Sequence, residues 1–530
     1  MVSRSSTGRK IASFACAADR PVEPRKIEKM TRVHCAALRS RIMSAEQAAA
    51  LIENGAHVGM SGFTGSGCPK AVPGALAKRI ESEHGAGRAF KVGVWTGAST
   101  APELDGALAR AEGVELRLPY QSDPTSRQKI NDGRMDYIDL HLSHVAQHVW
   151  SGFFGKLDVA LIEVAAIEED GSLIPSTSIG NNKTWLDVAD TVILEVNSWQ
   201  DLRLEGMHDV YYGTHLPPHR TPIPIIHPDD RIGSPRLTCD LSKIVAIVET
   251  HAPDRVCDFA RPDAQSQTIA DHIVAFLKHE VAKGRMPKEL LPLQSGVGNI
   301  ANAVMAGLGA SDFDNLTAYT EVLQDGMLDL LRSGKLLSAS TTALSLSEAA
   351  LQDFLGNIDF YRSRIVMRPQ EISNHPEVIR RLGVISMNGM IEADIYGNVN
   401  STHVGTSKIM NGIGGSGDFA RNAYLSIFMS PSTAKNGAVS CITPMVSHVD
   451  HTEHDTGVIV TERGLADLRG LAPRKRSRLI IETCAHPSFQ PALRDYVARA
   501  EREADGLHTP HLPAEALTWM KAHTKLRKAS

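Results

Sequence analysis

The sequence predicts an α/β protein of two domains built on mostly parallel sheets. Short runs rich in valine and isoleucine, "FKVGVWTG", "LDVALIEVAAI", "TVILEVN" and "KIVAIVE", suit strands buried on both faces of a parallel sheet. Segments of helical periodicity alternate with these runs, the texture of repeated strand–helix units. The length of 530 residues exceeds what one hydrophobic core organises, so at least two domains are expected.

Taken in order, residues 1–29 open with "MVSRSSTGRKIASFACAADR", which is basic and serine-rich with a short apolar run. They predict a disordered or mis-assigned extension ahead of Met30, with a targeting peptide as the alternative. "SAEQAAALIENG" reads as a helix with Ser44 as N-cap and Gly55 as stop. "HVGMSGF" reads as a strand entering a glycine-rich turn, and "PKAVPGALAKRIESEHG" as the helix after it. Between 211 and 240 the proline-rich "YYGTHLPPHRTPIPIIHPDDRIGSP" has little periodicity and predicts an irregular crossing segment near a domain junction. "DAQSQTIADHIVAFLKHEVAKG" restarts the alternation as a long helix, and "LTAYTE" followed by "DGMLDLLRSG" reads as strand then helix. No short repeat is visible. The expected domains are 30–240 and 241–512, with 513–530 a tail.

Composition excludes several functions. A net charge of −4 leaves no basic excess for a polyanion, so nucleic acid is not an expected partner. No apolar stretch approaches the ~18 residues of a membrane span, so no membrane partner is expected either. Seven cysteines, scattered and without a C-x-x-C pair, suit a reducing compartment and argue against a disulfide framework or zinc ribbon.

Residues 294–304, "QSGVGNIANAV", admit two readings. Gly296, Gly298 and Ala301 spell G-x-G-x-x-A, a dinucleotide fingerprint, and Glu321 stands where that fingerprint expects an acid for a ribose hydroxyl. Against it, Pro292 and the polar residues of "KELLPLQS" interrupt the strand the fingerprint requires. A second glycine pattern, "GIGGSG" at 412–417, lacks an acid at the proper distance. Alternatively, glycines at a helix start leave backbone N–H groups facing a pocket for negative charge. Glu321, ending the neighbouring strand, then faces that pocket as a nucleophilic carboxylate. As residues alone, a solvent-exposed acid at a strand end remains open too.

Further segments bear on the choice. "GFTGSGCPKAVP", "RLPYQSDPTSR", "IPSTSIGNN", "HAPDR", "SGVGNIANAV", "YTEVLQDGMLDL", "GGSGDFARNA", "SHVDHTEHD" and "TERGLADLRGL" occur in one order between about 45 and 510. In them the chain resembles the acetyl-CoA hydrolase and succinate CoA-transferase family of class I CoA-transferases. The resemblance implies two tandem CoA-transferase-type α/β domains and places the nucleophile on Glu321. It implies CoA contacts at Gly296, Val297, Gly298, Asn299, Ile300, Ile391, Asn411, Gly415 and Lys435, with the Val297 amide an oxyanion donor and Asn374 and Gly415 catalytic positions that contact substrate or CoA. Arg255 and Glu462 are implied for the substrate carboxylate or pocket wall, with ordinary ion pairing as the alternative. The implied activity is CoA transfer between a short acyl-CoA (succinyl-, acetyl- or propionyl-CoA) and acetate or succinate, with acyl-CoA hydrolysis as the family alternative. Coenzyme A enters as substrate, no cofactor is permanently bound, and a cytoplasmic homodimer is expected, mitochondrial targeting being the alternative.

The histidines of "SHVDHTEHD", His448, His451 and His454, lie three apart. Neither a strand nor a straight helix keeps that spacing on one face. They are expected to serve structural hydrogen bonds rather than a metal.

Overall fold

Two eight-stranded sheets organise the computed structural model, which describes residues 31–98, 101–257, 262–504 and 506–523. The extension expected over 1–29 lies outside the described residues. In the first sheet the order is Asp136–Tyr137, Val114–Leu118, Val92–Trp95, His57–Met60, Val159–Ile167, Thr191–Asn197 and Ile244–Thr250, all parallel. Leu173–Pro175 joins Val159–Ile167 antiparallel. In the second sheet the order is Ile365–Met367, Leu336–Thr341, Leu316–Tyr319, Leu293–Ser295, Ile385–Gly389, Leu425–Met429 and Val458–Thr461, also parallel. Gly464–Asp467 closes that edge antiparallel.

The two sheets share one topology. Each begins with a central strand, adds its next strands to one side, then crosses over and builds the other side. The crossover lies between His57–Met60 and Val159–Ile167 in the first sheet, and between Leu293–Ser295 and Ile385–Gly389 in the second. Such switch points open a crevice at the carboxyl ends of the strands, where α/β proteins bind ligands.

The apolar runs behave as their composition predicts. Every residue of Val92–Trp95 and of Val159–Ile167 is buried, each large side chain contributing roughly 1.5–3 kcal/mol through burial. Ser44 and Gln47 form a reciprocal capping box, but the helix they start ends at Ala49 rather than near Gly55. Val72–Gly85 and Ala264–Ala282 form helices where expected, the latter capped by Asp263.

The domain limits need three corrections. Ile244–Thr250, assigned from sequence to the second domain, is the edge strand of the first sheet, bonded to Thr191–Asn197. The 211–240 segment is irregular and crosses as expected but is not the junction: it leaves the first half, packs Ile223 and Ile225 against Tyr319 and Ile372 of the second, and returns. Its anchor is a buried ion pair between Asp209 and Arg368. The 513–530 tail holds the helix Pro513–His523, whose Trp519 is buried against Phe489. Finally, both halves feed one apolar cluster running from Trp95 and Trp185 through Leu293 and Leu344 to Val460.

Candidate active site

Leu293–Ser295 is a central strand, contrary to the sequence expectation that Pro292 and its polar neighbours forbid one. Pro292 precedes the strand, where its missing N–H costs nothing, and its carbonyl accepts from Ile385 N–H at 2.9 Å. The polar Gln294 is satisfied across the sheet: it donates to Asn388 Oδ1 at 3.1 Å and accepts from Met387 N–H at 3.1 Å. The chain then turns through Gly296–Gly298, with Gly298 at φ 129°, into the helix Asn299–Ala310.

A cavity of about 330 Å³ opens at this switch point. Gly296 and Val297 line it after the first central strand, Glu321 and Val322 after Leu316–Tyr319, and Met390 and Ile391 after Ile385–Gly389. The loop Asn411–Ser416 forms a further wall, and Thr64, Ala98 and Tyr120 from the first half complete it. The Val297 N–H has no hydrogen-bond partner among the described residues.

Glu321 is pinned by its main chain and aimed by its side chain. Its carbonyl accepts from Thr342 N–H at 3.0 Å and Thr341 Oγ1 at 2.9 Å. Its Oε2 accepts from Asn374 Nδ2 at 2.8 Å, and the carboxylate also takes the Gly415 N–H. Burial pushes its pKa up to about 7; the nearby Asp418 carboxylate pushes the same way, against these two donors. Gly415 is required here by contact rather than by φ. A Cβ at this position would stand 1.5 Å from Glu321 Oε2 and 2.5 Å from Asn374 Nδ2.

The donors are themselves held. Asn374 Oδ1 accepts from Ser373 Oγ at 2.7 Å, which orients the amide so that its NH₂ faces Glu321. The same NH₂ lies 3.4 Å from Asp418 Oδ2. Asp418 in turn accepts from Ser143 N–H at 3.0 Å and Ser143 Oγ at 2.6 Å. Its burial pushes it up to about 7 as well. Gly412 and Gly417 of "GIGGSG" serve close packing against the first half: a Cβ on Gly412 would meet Tyr137 Oη at 2.3 Å, and one on Gly417 would meet His141 at 2.3 Å.

With the strand in place, the glycine pattern at 296–301 has the strand–turn–helix setting of a dinucleotide site, so local geometry alone does not choose between the two readings. The family does. Residues 27–249 match the acetyl-CoA hydrolase/transferase N-terminal domain, and residues 350–497 its C-terminal domain. The chain belongs to the acetyl-CoA hydrolase/transferase family. It is 51% identical over 497 residues to a succinyl-CoA:acetate CoA-transferase of Clostridium kluyveri, covering 94% of this chain and 91% of that protein. It is 44% identical over 509 residues to an acetyl-CoA hydrolase of Eremothecium gossypii, covering 93% and 96%. RipA from Yersinia pestis has the same fold, with a TM-score of 0.67 at 23% identity over 88% of this chain and 98% of that one. CoA transfer and acyl-CoA hydrolysis both fit this family, and the nicotinamide alternative finds no support in these likenesses.

Of the residues assigned by resemblance to this family, Gly296, Val297, Glu321, Ile391, Asn411 and Gly415 line one cavity, with Asn374 bonded to Glu321 behind it. Gly298, Asn299 and Ile300 form the helix start beside it without lining it. Lys435 stands exposed at φ 51° beyond the strand Thr433–Ala434 of a hairpin, outside the lining. Arg255 is exposed and 3.9 Å from Glu103, also outside it. Glu462 accepts from Ser432 N–H at 2.7 Å and from its hydroxyl, which fastens the base of the hairpin carrying Lys435. The three histidines diverge: His448 meets Asp450 at 3.3 Å, His451 meets Ser416 Oγ at 3.2 Å, and His454 is exposed.

Sequence reasoning missed Asp418, Ser143 and Tyr120. Asp418 sits in the quoted "GGSGDFARNA", and Tyr120 in "RLPYQSDPTSR". An acid among glycines and a tyrosine after proline were the available signals, but nothing local says that they meet Glu321.

Proposed function

We propose that this chain moves CoA between a short acyl-CoA and a carboxylate through a thioester on Glu321. The observation that carries the reading is the carboxylate itself, anchored through Oε2 by Asn374, stabilised by the Gly415 backbone, and facing a cavity that Val297 also lines. With Oε2 occupied by donors, Oε1 is the oxygen available to attack.

Glu321 Oε1 attacks the thioester carbonyl, and the oxygen of that carbonyl becomes an oxyanion that Val297 N–H is placed to receive. Collapse breaks the C–S bond, leaving an acyl-glutamyl anhydride and a CoA thiolate. The thiolate attacks Glu321 Cδ, so negative charge develops on Oε2, where Asn374 Nδ2 already donates and the Gly415 backbone lies close by. Expulsion of the acyl carboxylate completes the glutamyl-CoA thioester, and an incoming carboxylate reverses both steps. Burial helps, since a carboxylate raised to about 7 is poorly solvated and correspondingly reactive.

The nucleotide portion of CoA is longer than this cavity. Outside it, the N-terminus of Asn299–Ala310 and the exposed Lys435 supply positive potential for phosphates. Remote contacts of that kind supply binding energy that is used at the reacting carbon. Coenzyme A acts here as substrate, without a permanent cofactor, and the expected cytoplasmic homodimer belongs to this proposal; no described helix is long and apolar enough to cross a membrane.

Transfer rather than hydrolysis is the main reaction in this reading, because a carboxylate held at the glutamyl carbonyl has an effective concentration that water does not match. Incubation with acetyl-, propionyl- or succinyl-CoA without acceptor should add the mass of CoA minus water to a peptide containing Glu321. An adduct on another residue, or none under trapping, would sink the nucleophile. Ping-pong kinetics with acetate or succinate should appear. An acyl-CoA consumption rate indifferent to acceptor, with free CoA accumulating, would establish the hydrolase instead.

A further inference from the structure

A second cavity, about 270 Å³ in volume, lies behind Asn374. Ser143 borders it while holding Asp418, and Glu371 and His375 flank Asn374 in the chain. Its lining is unusual in its unpaired polar atoms. Glu371 is only 3% exposed, yet neither carboxylate oxygen meets a donor from another described residue. Thr214 Oγ1 and His375 Nδ1 line the same cavity and are also buried without partners. In native proteins the large majority of such groups are paired, and a buried carboxylate left alone is the costliest kind to leave so.

Neither neighbouring cation pairs with Glu371. Lys183 Nζ bonds Asp187 at 2.9 Å and stands 4.7 Å over the Trp150 ring, acting on Glu371 only through space. Arg220 also lines the cavity; its Nη2 donates to Gln147 Oε1 and its Nε to the His215 carbonyl at 3.1 Å, and it does not reach Glu371. Burial accordingly leaves Glu371 pushed up to about 7.

Each of the four unpaired atoms can accept a hydrogen bond. Carboxylate oxygens only accept when ionised, a hydroxyl oxygen accepts, and a neutral imidazole accepts at Nδ1 when its proton is on Nε2. His375 is neutral, its pKa lowered to about 4 by burial. No donor among the described residues, Arg220 included, bonds any of the four. A metal ion is a poor fit, since among the described residues no three His, Cys, Asp or Glu side chains are grouped to hold one. A water's share of the liquid is about 30 Å³, so the cavity of about 270 Å³ has room for on the order of nine such volumes, enough for a few non-hydrogen atoms.

We propose that this cavity is a binding site for a small ammonium-bearing molecule, whose N–H groups donate to Glu371, Thr214 and His375. The site stands whatever reaction Glu321 performs. Its occupant would be linked to the nucleophile, because Ser143 connects the cavity wall through Asp418 and Asn374 to Glu321.

The test is calorimetric titration of the full chain with methylammonium chloride, against tetramethylammonium chloride and sodium chloride at matched ionic strength. Tetramethylammonium carries the charge but has no N–H to donate. Saturable binding of methylammonium alone is expected, weakened about tenfold or more in Glu371→Gln, as loss of a charge-assisted hydrogen bond requires. Thr214→Val, at the edge of the cavity, should weaken it as well and serves if Glu371→Gln fails to fold. Equal responses to all three salts, or methylammonium binding unchanged in the variants, overturn the proposal. So does the absence of any saturable methylammonium binding, which would leave the cavity to water.

Discussion

Gly415→Ala is the sharpest test of the site geometry, because its effect follows from distances. The new Cβ would lie 1.5 Å from Glu321 Oε2, 2.5 Å from Asn374 Nδ2 and 2.8 Å from Glu321 Cδ. Real Cβ contacts essentially never fall below 3.0 Å, so the carboxylate must retreat by at least about 1.5 Å, the difference of the two distances. Misplacing a reacting group by about 1 Å costs on the order of 10² in rate, and removing one oxyanion donor about 10²–10³. The displaced carboxylate suffers the first and loses part of the second, so kcat/KM should fall by roughly 10³ to 10⁴, or about 4 to 5.5 kcal/mol of transition-state stabilisation. The φ of −85° at Gly415 is open to alanine, so no backbone strain is added. Steady-state transfer assays measure the loss, titration with CoA should find binding largely retained, and thermal unfolding checks the fold. A folded Gly415→Ala enzyme within tenfold of the parent would refute the reasoning, since the carboxylate could then not be where this geometry puts it.

Four further outcomes are expected. Glu321→Asp should lose at least about 10² in kcat, because one bond length of about 1.5 Å withdraws the carboxylate from Asn374 and Gly415; near-normal turnover contradicts the nucleophile. For the parent enzyme kcat/KM should rise with pH through about 7 and then level, since Glu321 must be ionised to attack and burial holds it at about 7. Because burial pushes Asp418 up to about 7 as well, the observed value belongs to the pair. Asn374→Ala removes a donor to the charged form, so the midpoint should move upward; a downward shift, or a flat parent profile, would contradict this. Asp209→Ala leaves the fully buried Arg368 without its carboxylate, and should cost about 3–5 kcal/mol in denaturant unfolding. A cost under about 1 kcal/mol would mean that the crossing segment is anchored elsewhere.

Sequence alone carried the alternation of strands and helices, since continuous apolar runs and helical periodicity are local properties that burial then selects. It also carried the placement of Glu321 at a strand end beside a glycine-rich helix start, and the ordered motifs that mark the family. What it misjudged depends on partners far away in the chain. Leu293–Ser295 looks too polar for a central strand until Asn388 and Met387 satisfy Gln294 across the sheet. Ile244–Thr250 looks like the start of a new domain until its ladder to Thr191–Asn197 claims it for the first sheet. The duplicated topology is invisible because strand order is a property of pairing, which no residue pattern spells out. Within the site, motif matching set Lys435 beside Gly415 and left Arg255 and Glu462 open to ordinary ion pairing, whereas the fold puts Lys435 and Arg255 outside the cavity and assigns Glu462 to the hairpin base. Asp418, Ser143 and Tyr120 entered the site only through tertiary contact. A carboxylate's reactivity is set by the donors, charges and dielectric within a few ångströms, and only the folded chain brings those to Glu321.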